Sequence, residues 1–215
     1  MKLTQEQIRL IEEALIEKCD FKNFNDVRNE LVDHIATEIE DEISLNLSFK
    51  DAFVKVMTRW NPLILSKSWS RYENVPYIVC KLWKSLDLKF KFSAIPVALL
   101  ISYVFFLLQE KGYSIYLLLL PIIVLGIISN IYLLYKKFNN KVNSTLSMYA
   151  LHNFFGLTIS MVSFIIINIL FFSSGIEKSI IPIFWPTIYC CLLIVGKAWV
   201  MQKHIKIENQ LLKVI

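Results

Sequence analysis

Glu30, Asp33, His34, Glu38, Glu40, Asp41 and Glu42 crowd into the stretch NELVDHIATEIEDE, residues 29–42. Carboxylates around a histidine can ligate a metal, move a proton, or attract a cationic partner. Spacings of three and four residues put Glu30, His34, Glu38 and Asp41 on one side of a helix. Metal ligation needs further ligands converging from a second element, and the usual local forms are missing. The pair here is Glu30-x-x-x-His34, not the Glu-x-x-His of di-iron bundles, and there is no His-Glu-x-x-His. No set of nucleophile, base and orienting group can be assembled for an enzyme. The expectation is no metal, no cofactor and no catalytic residue. Glu30, Asp33, His34, Glu38, Asp41 and Glu42 read instead as a solvated helix face that binds a protein partner.

A second set of polar residues lies in apolar surroundings. Asn130, His152, Asn153 and Lys197 come from three predicted membrane spans at one depth, about a turn inside the cytoplasmic boundary. Burying such groups in hydrocarbon costs free energy, which makes them candidates for a polar pocket or for coupling to a soluble module. Snorkelling of Lys197 and ordinary hydrogen bonds between helices are the plainer reading. Asn168, toward the outer side, suggests a helix contact. Gly156, Ser160 and Ser163, and Gly126 with Ser129, offer small-residue stripes for close helix approach.

The elements that position these residues follow from composition and periodicity. Hydrophobic residues make up 55% of the 215 residues and the mean hydropathy is +0.51, too apolar for an ordinary soluble domain. The charge is divided unevenly. Residues 1–91 hold 15 of the 18 acids, leaving only Glu110, Glu177 and Glu208 beyond. Residues 1–50 are acidic, with 12 acids against six bases, whereas residues 51–91 are basic, with eight bases against three acids. The basic half adjoins the first apolar run, where anionic lipid headgroups attract Lys and Arg. The net charge of +5 thus suits a membrane surface. No basic arm with interleaved aromatics argues for direct nucleic-acid contact. Cys19, Cys80, Cys190 and Cys191 form no Cys-x-x-Cys pair, so neither zinc nor a disulfide framework is expected. The polar start MKLTQEQIRLIEEALIEKCD is not a secretory signal, and the first span is expected to direct its own insertion.

Residues 4–18 read as an amphipathic helix opened by a Thr4/Gln7 capping box. A second helix runs from about Asp26 to Leu45, with Val27, Leu31, Ile35, Ile39 and Ile43 as its apolar stripe. Ser48 caps a third, which buries Phe49, Ala52, Phe53, Val56, Met57 and Trp60 and stops at Asn61-Pro62. Residues 63–91, with Lys67, Trp69, Arg71, Tyr72, Tyr77, Lys81, Trp83 and Lys84, suit a juxtamembrane helix on the headgroups. Four spans follow, at about 92–109, 113–135, 148–172 and 180–201, each near the length needed to cross the bilayer. Pro121 is expected to kink the second. Residues 202–215 form a tail. The expected fold is all-α, a small cytoplasmic three-helix domain (1–62) followed by a four-helix transmembrane bundle (92–201). Lysines gather before the first span, in KKFNNK and in the tail, which places both termini in the cytoplasm.

The stretch NELVDHIATEIEDEISLNLSFKDAFVKVMTRWNP resembles the N-terminal module of bacterial membrane proteins often encoded beside PadR-type regulators, the HAAS-type signalling domains. Their pattern reads E-L-x-D-H-L, an acidic stretch, a short linker, and an S-x-x-x-A-F helix. Glu30, Leu31, Asp33, His34 and Ile35 match its first part, and Ser48, Ala52, Phe53 and Trp60 its second. The family usually carries a glycine near the end of the third helix, where this chain has Thr58-Arg59-Trp60-Asn61. The resemblance spans about residues 5–62 and implies regulation or signalling through protein contact.

These readings converge on an integral protein of the bacterial inner membrane whose acidic cytoplasmic domain docks a partner in regulation or signalling. Expected partners are membrane lipids, a protein bound through that domain, and a second copy of the chain. The alternative is a subunit of a membrane transport or lipid-handling complex, with Asn130, His152 and Lys197 lining a polar path.

Overall fold

The computed structural model describes residues 2–65, 75–139, 144–173 and 181–211. Among these residues every regular element is helical. The α-helices are α1 (Gln5–Cys19), α2 (Asn25–Ser44), α3 (Phe49–Ile64), α4 (Tyr77–Glu110), α5 (Ile115–Asn139), α6 (Thr145–Leu151), α7 (Phe154–Ser173) and α8 (Ile181–Leu211), with one 3-10 turn at Phe21–Asn23. The chain divides into two compact units. One comprises residues 1–85 and 142–148, the other residues 86–141 and 149–215.

In the first unit, local chemistry sets the helix ends. The Thr4 side chain accepts from the Gln7 amide while the Gln7 side chain accepts from the Thr4 amide, satisfying two of the orphan donors at the start of α1. Asp20 closes α1 in the left-handed region at φ 60°, a conformation that Asp tolerates better than most residues. Ser48 opens α3 by accepting from the Asp51 amide. The apolar stripes then close on one another. Ile11 and Leu15 of α1, Leu31, Ile35 and Ile39 of α2, and Ala52 and Val56 of α3 are all buried, with α2 packed on both α1 and α3.

Two expectations for this unit need correction. Phe53 and Met57 are only half-buried and Phe49 likewise, so the buried seam of α3 is narrower than its apolar content suggested. And Pro62 does not end α3, which continues to Ile64, the Leu65 amide bonding to the Asn61 carbonyl. In the last turn a missing proline N–H costs one bond only, and the buried Ile64 side chain draws the turn inward.

The second unit holds most of the apolar sequence. Four helical stretches are long and apolar enough to cross a membrane: Tyr77–Glu110, Tyr116–Asn139, Thr145–Leu170 and Phe184–His204, the make-up of a multi-pass membrane protein. Side chains such as Phe92, Leu100, Leu117, Ile131, Ile159 and Leu170 are exposed, as a lipid-facing surface requires. Of the most apolar window in each span, 56% is buried for α8 and 11% for α4. That makes α8 the central helix, packed on α5 and α7 around Leu133, Phe154, Met161, Cys190, Cys191 and Ile194.

The spans are not bounded as the sequence suggested. No break separates a juxtamembrane helix from the first span, since α4 is continuous over 34 residues. At 1.5 Å per residue that is about 51 Å, well beyond the roughly 30 Å of hydrocarbon. Its first turns therefore extend outside the apolar layer. Lys67, Trp69, Arg71 and Tyr72 lie outside the described residues. The predicted third span is split, with α6 ending at Leu151 and α7 starting at Phe154. Pro121 lies within a continuous α5.

Candidate functional site

The acids of α2 fall into two groups according to what they meet. Glu42 is buried at 8% exposure and held from two sides. Lys55 Nζ donates to its Oε2 at 2.6 Å and Arg59 Nη2 to its Oε1 at 2.8 Å. The hydrogen bonds from Lys55 and then Arg59 hold the Glu42 carboxyl below the usual glutamate range. Arg59 Nη1 also donates to Glu38 Oε2 at 3.0 Å. Glu40 Oε1 accepts from the Leu3 amide at 2.8 Å. These acids serve the fold, tying α2 to α3 and to the chain start. Glu38 and Glu42, expected among the partner-binding residues, are thus already committed to basic groups one helix away.

Glu30, Asp33, His34 and Asp41 differ. All four are exposed, and among the described residues no ion pair or hydrogen bond engages their side chains, although the Thr37 and Ser44 hydroxyls donate to the backbone carbonyls of Asp33 and Asp41. Glu30 and His34 border a cleft of about 370 Å³ whose remaining wall is apolar: Val27 and Leu31 of α2, Trp60 of α3, and Ile78, Val79 and Leu82 of α4. Leu31 and Val79 are buried at its floor and Leu82 is exposed at its edge. No sequence pattern pointed to this cleft, because Ile78, Val79 and Leu82 are separated from α2 by more than thirty positions. Among the described residues no group of three or more His, Cys, Asp or Glu side chains could hold a metal ion. Burial, before all else, pushes the Cys19 thiol up.

Further residues of this unit form a polar joint that the sequence did not single out. Both carboxylate oxygens of Asp26, in the first turn of α2, accept from the Thr145 amide at 3.0 Å, and Thr145 Oγ1 donates to Asp26 Oδ1 at 2.7 Å. Trp83, itself buried, donates its indole N–H to the Thr145 carbonyl at 3.1 Å. The start of α6 is thus held through Thr145. A separation of 119 residues between Asp26 and Thr145 leaves no local signature to read.

In the second unit the intramembrane polar candidates divide between two sets of partners. Asn130 pairs with Thr158, its Nδ2 donating at 2.8 Å and its Oδ1 accepting at 3.1 Å, across α5 and α7. Lys197 of α8 goes elsewhere. Its ammonium donates at 2.9 Å to each of the carbonyls of Tyr149 and His152 and sits 4.4 Å from the Tyr149 ring centre. His152 and Asn153 are not side chains on a continuous span but the break itself, Asn153 standing at φ 52°. Asn is among the few residues that adopt this conformation readily. A broken helix leaves carbonyls without their usual donors, which hydrocarbon cannot replace. Lys197 supplies a donor to the His152 carbonyl and a second one to the Tyr149 carbonyl, which also accepts from the His152 amide at 3.2 Å. Tyr149 in turn donates its hydroxyl to Asp87 Oδ1 at 2.8 Å, and Lys91 lies 3.7 Å from Asp87 Oδ2.

Other contacts sort the small residues. A Cβ at Gly126 would lie 2.9 Å from Cys191 Sγ, so this glycine does admit α8. Gly156 and Ser163 are exposed, and their stripe takes no neighbour among the described residues. Asn168 donates to Thr187 Oγ1 at 2.6 Å, a contact between α7 and α8. Compared with known proteins, the chain matches no family model, no curated protein and no solved structure.

Proposed function

We propose that this chain is a regulatory or signalling protein of the bacterial inner membrane that acts by docking a protein partner on its N-terminal helical module, without catalysing a reaction. The observation that carries this reading is the division of the α2 acids. Glu38, Glu40 and Glu42 meet internal partners, whereas Glu30, which borders an apolar cleft, and Asp33 stand exposed and have no ion pair among the described residues. Exposed like charges next to unfilled apolar surface suit a cationic partner, with attraction that weakens as salt rises. The resemblance of residues 5–62 to HAAS-type domains points the same way. Lysines at the end of α5, Lys136 and Lys137, and Lys203 and Lys206 after the last apolar run, support a cytoplasmic placement of both termini and of the module. Asn130 and Lys197, which the transport alternative would set along one polar path, are engaged by different partners.

The test is co-purification in mild detergent from the native host. Glu30→Lys with Asp33→Lys is expected to strip the partner while leaving membrane insertion and melting temperature unchanged. An unchanged set of co-purifying proteins would remove the docking role. Placement is checked by single cysteines at Lys2, Lys111 and Lys213 in a cysteine-free background. Only the Lys111 position is expected to label in intact cells.

A further inference from the structure

We infer that the cleft between α2, α3 and the first turns of α4 receives the apolar face of a basic amphipathic helix, whose lysines or arginines pair with Glu30 and Asp33. This rests on the docking reading and names the partner's chemistry.

Shape is the first argument. The cleft holds about 370 Å³ and its floor and far wall are Leu31, Trp60, Ile78, Val79 and Leu82, with polar groups only at one lip. Apolar surface of this kind, open to water, is stabilised by a side chain that fills it, at about 25 cal/mol per Å² buried. A helix laid into such a groove inserts side chains spaced three and four residues apart.

Charge decides which helix. On α2 the lip of the cleft carries Glu30 and, one turn on, His34, with the exposed Asp33 next to His34 in the chain. Further along the same helix Glu38 already has Arg59, and Glu42 has Lys55 and Arg59, whereas Asp41 is exposed. The acids beside the cleft have none among the described residues. An acidic or neutral helix would leave them uncompensated, and would meet repulsion in the first case. A helix with basic flanks neutralises them as its apolar side chains enter.

The experiment uses the full chain in nanodiscs of zwitterionic lipid, with binding to empty nanodiscs subtracted. The probe is a fluorescent model helix with leucines spaced three and four apart and lysine flanks, and a twin carrying glutamates in place of the lysines. Only the lysine helix is expected to bind. Leu82→Gln, at an exposed position that leaves the core intact, and Glu30→Lys are each expected to weaken it by at least about tenfold. Glu30→Lys with Asp33→Lys is expected to shift preference to the glutamate helix. Equal binding of both helices, no binding, or indifference to both substitutions would overturn the inference. The same variants in native co-purification separate the two claims. Partner loss with the charge reversal but not with Leu82→Gln removes the groove and keeps docking. Partner retention in both removes docking itself.

Discussion

The Lys197 ammonium lies 2.9 Å from the carbonyl oxygen of His152, the residue at which the third apolar stretch breaks between α6 and α7. A cation at the C-terminal end of a helix is stabilised by the carbonyls that have no intrahelical donor. Here the same cation also answers the Tyr149 carbonyl and rests on the Tyr149 ring. An intramembrane lysine that looked like a functional anomaly is the donor that a broken helix needs.

Lys197→Met removes those donors while keeping the length of the side chain. The His152 carbonyl loses the donor that Lys197 gave it while the Tyr149 carbonyl keeps the His152 amide at 3.2 Å, and the loss is expected to be about 1–3 kcal/mol. Thermal unfolding in detergent, followed by a dye that reacts with thiols as buried Cys19, Cys190 and Cys191 come free, should show the drop. Lys197→Arg, which keeps the charge and the donors, is expected to lose less. An unchanged melting temperature for Lys197→Met would show that the break satisfies itself.

Asp26 and Thr145 should behave as one unit. Asp26→Ala and Thr145→Val each delete part of a charge-assisted set, and each is expected to cost about 1–2 kcal/mol. Because they remove the same interaction, the double variant should fall short of the sum by about 0.5–3 kcal/mol. Full additivity would mean that the carboxylate and the hydroxyl act independently.

Glu42 makes the stability of the N-terminal module dependent on acid. Its carboxyl is held below the ordinary range by Lys55 and then Arg59, so the folded state binds a proton less readily than the unfolded chain. Its contribution is present above the ordinary glutamate pKa, near about 4.3, and is lost as pH falls through the lower folded value. Circular-dichroism melts from pH 7 downward should show wild type losing stability through that window. Glu42→Gln should start lower and lose less. Parallel pH profiles would remove the assignment.

Gly126 is where α5 meets α8. Gly126→Ala puts a methyl 2.9 Å from Cys191 Sγ and 3.2 Å from Met161 Sδ. Overpacking is expected to cost about 1–3 kcal/mol, outweighing the helix propensity that alanine brings, about 0.5–1 kcal/mol. Gly156→Ala changes an exposed site whose nearest neighbour is the mobile end of the Asn153 side chain, and a smaller effect is expected. The same thiol-dye melt compares them.

The helices of the N-terminal module were legible from residues 4–65 because their causes are local. Thr4 with Gln7 and Ser48 with Asp51 are capping pairs three positions apart, and the Leu31–Ile35–Ile39 stripe is a repeat that any helix must bury. The four apolar stretches were legible for the same reason, since length and hydropathy are properties of a contiguous run. What the sequence could not supply is which polar group answers which. Seven acids on α2 look alike in one dimension, yet Arg59 and Lys55 engage Glu38 and Glu42 and leave Glu30 beside a cleft walled in part by α4. Lys197 and Asn130 stand at one predicted depth, yet one closes a helix break and the other pairs with Thr158. Local pattern decides where a helix begins and which face is apolar. Partners 13 to 119 residues away are chosen only when the helices pack, because a buried charge or carbonyl takes whatever donor or acceptor the packing brings within reach.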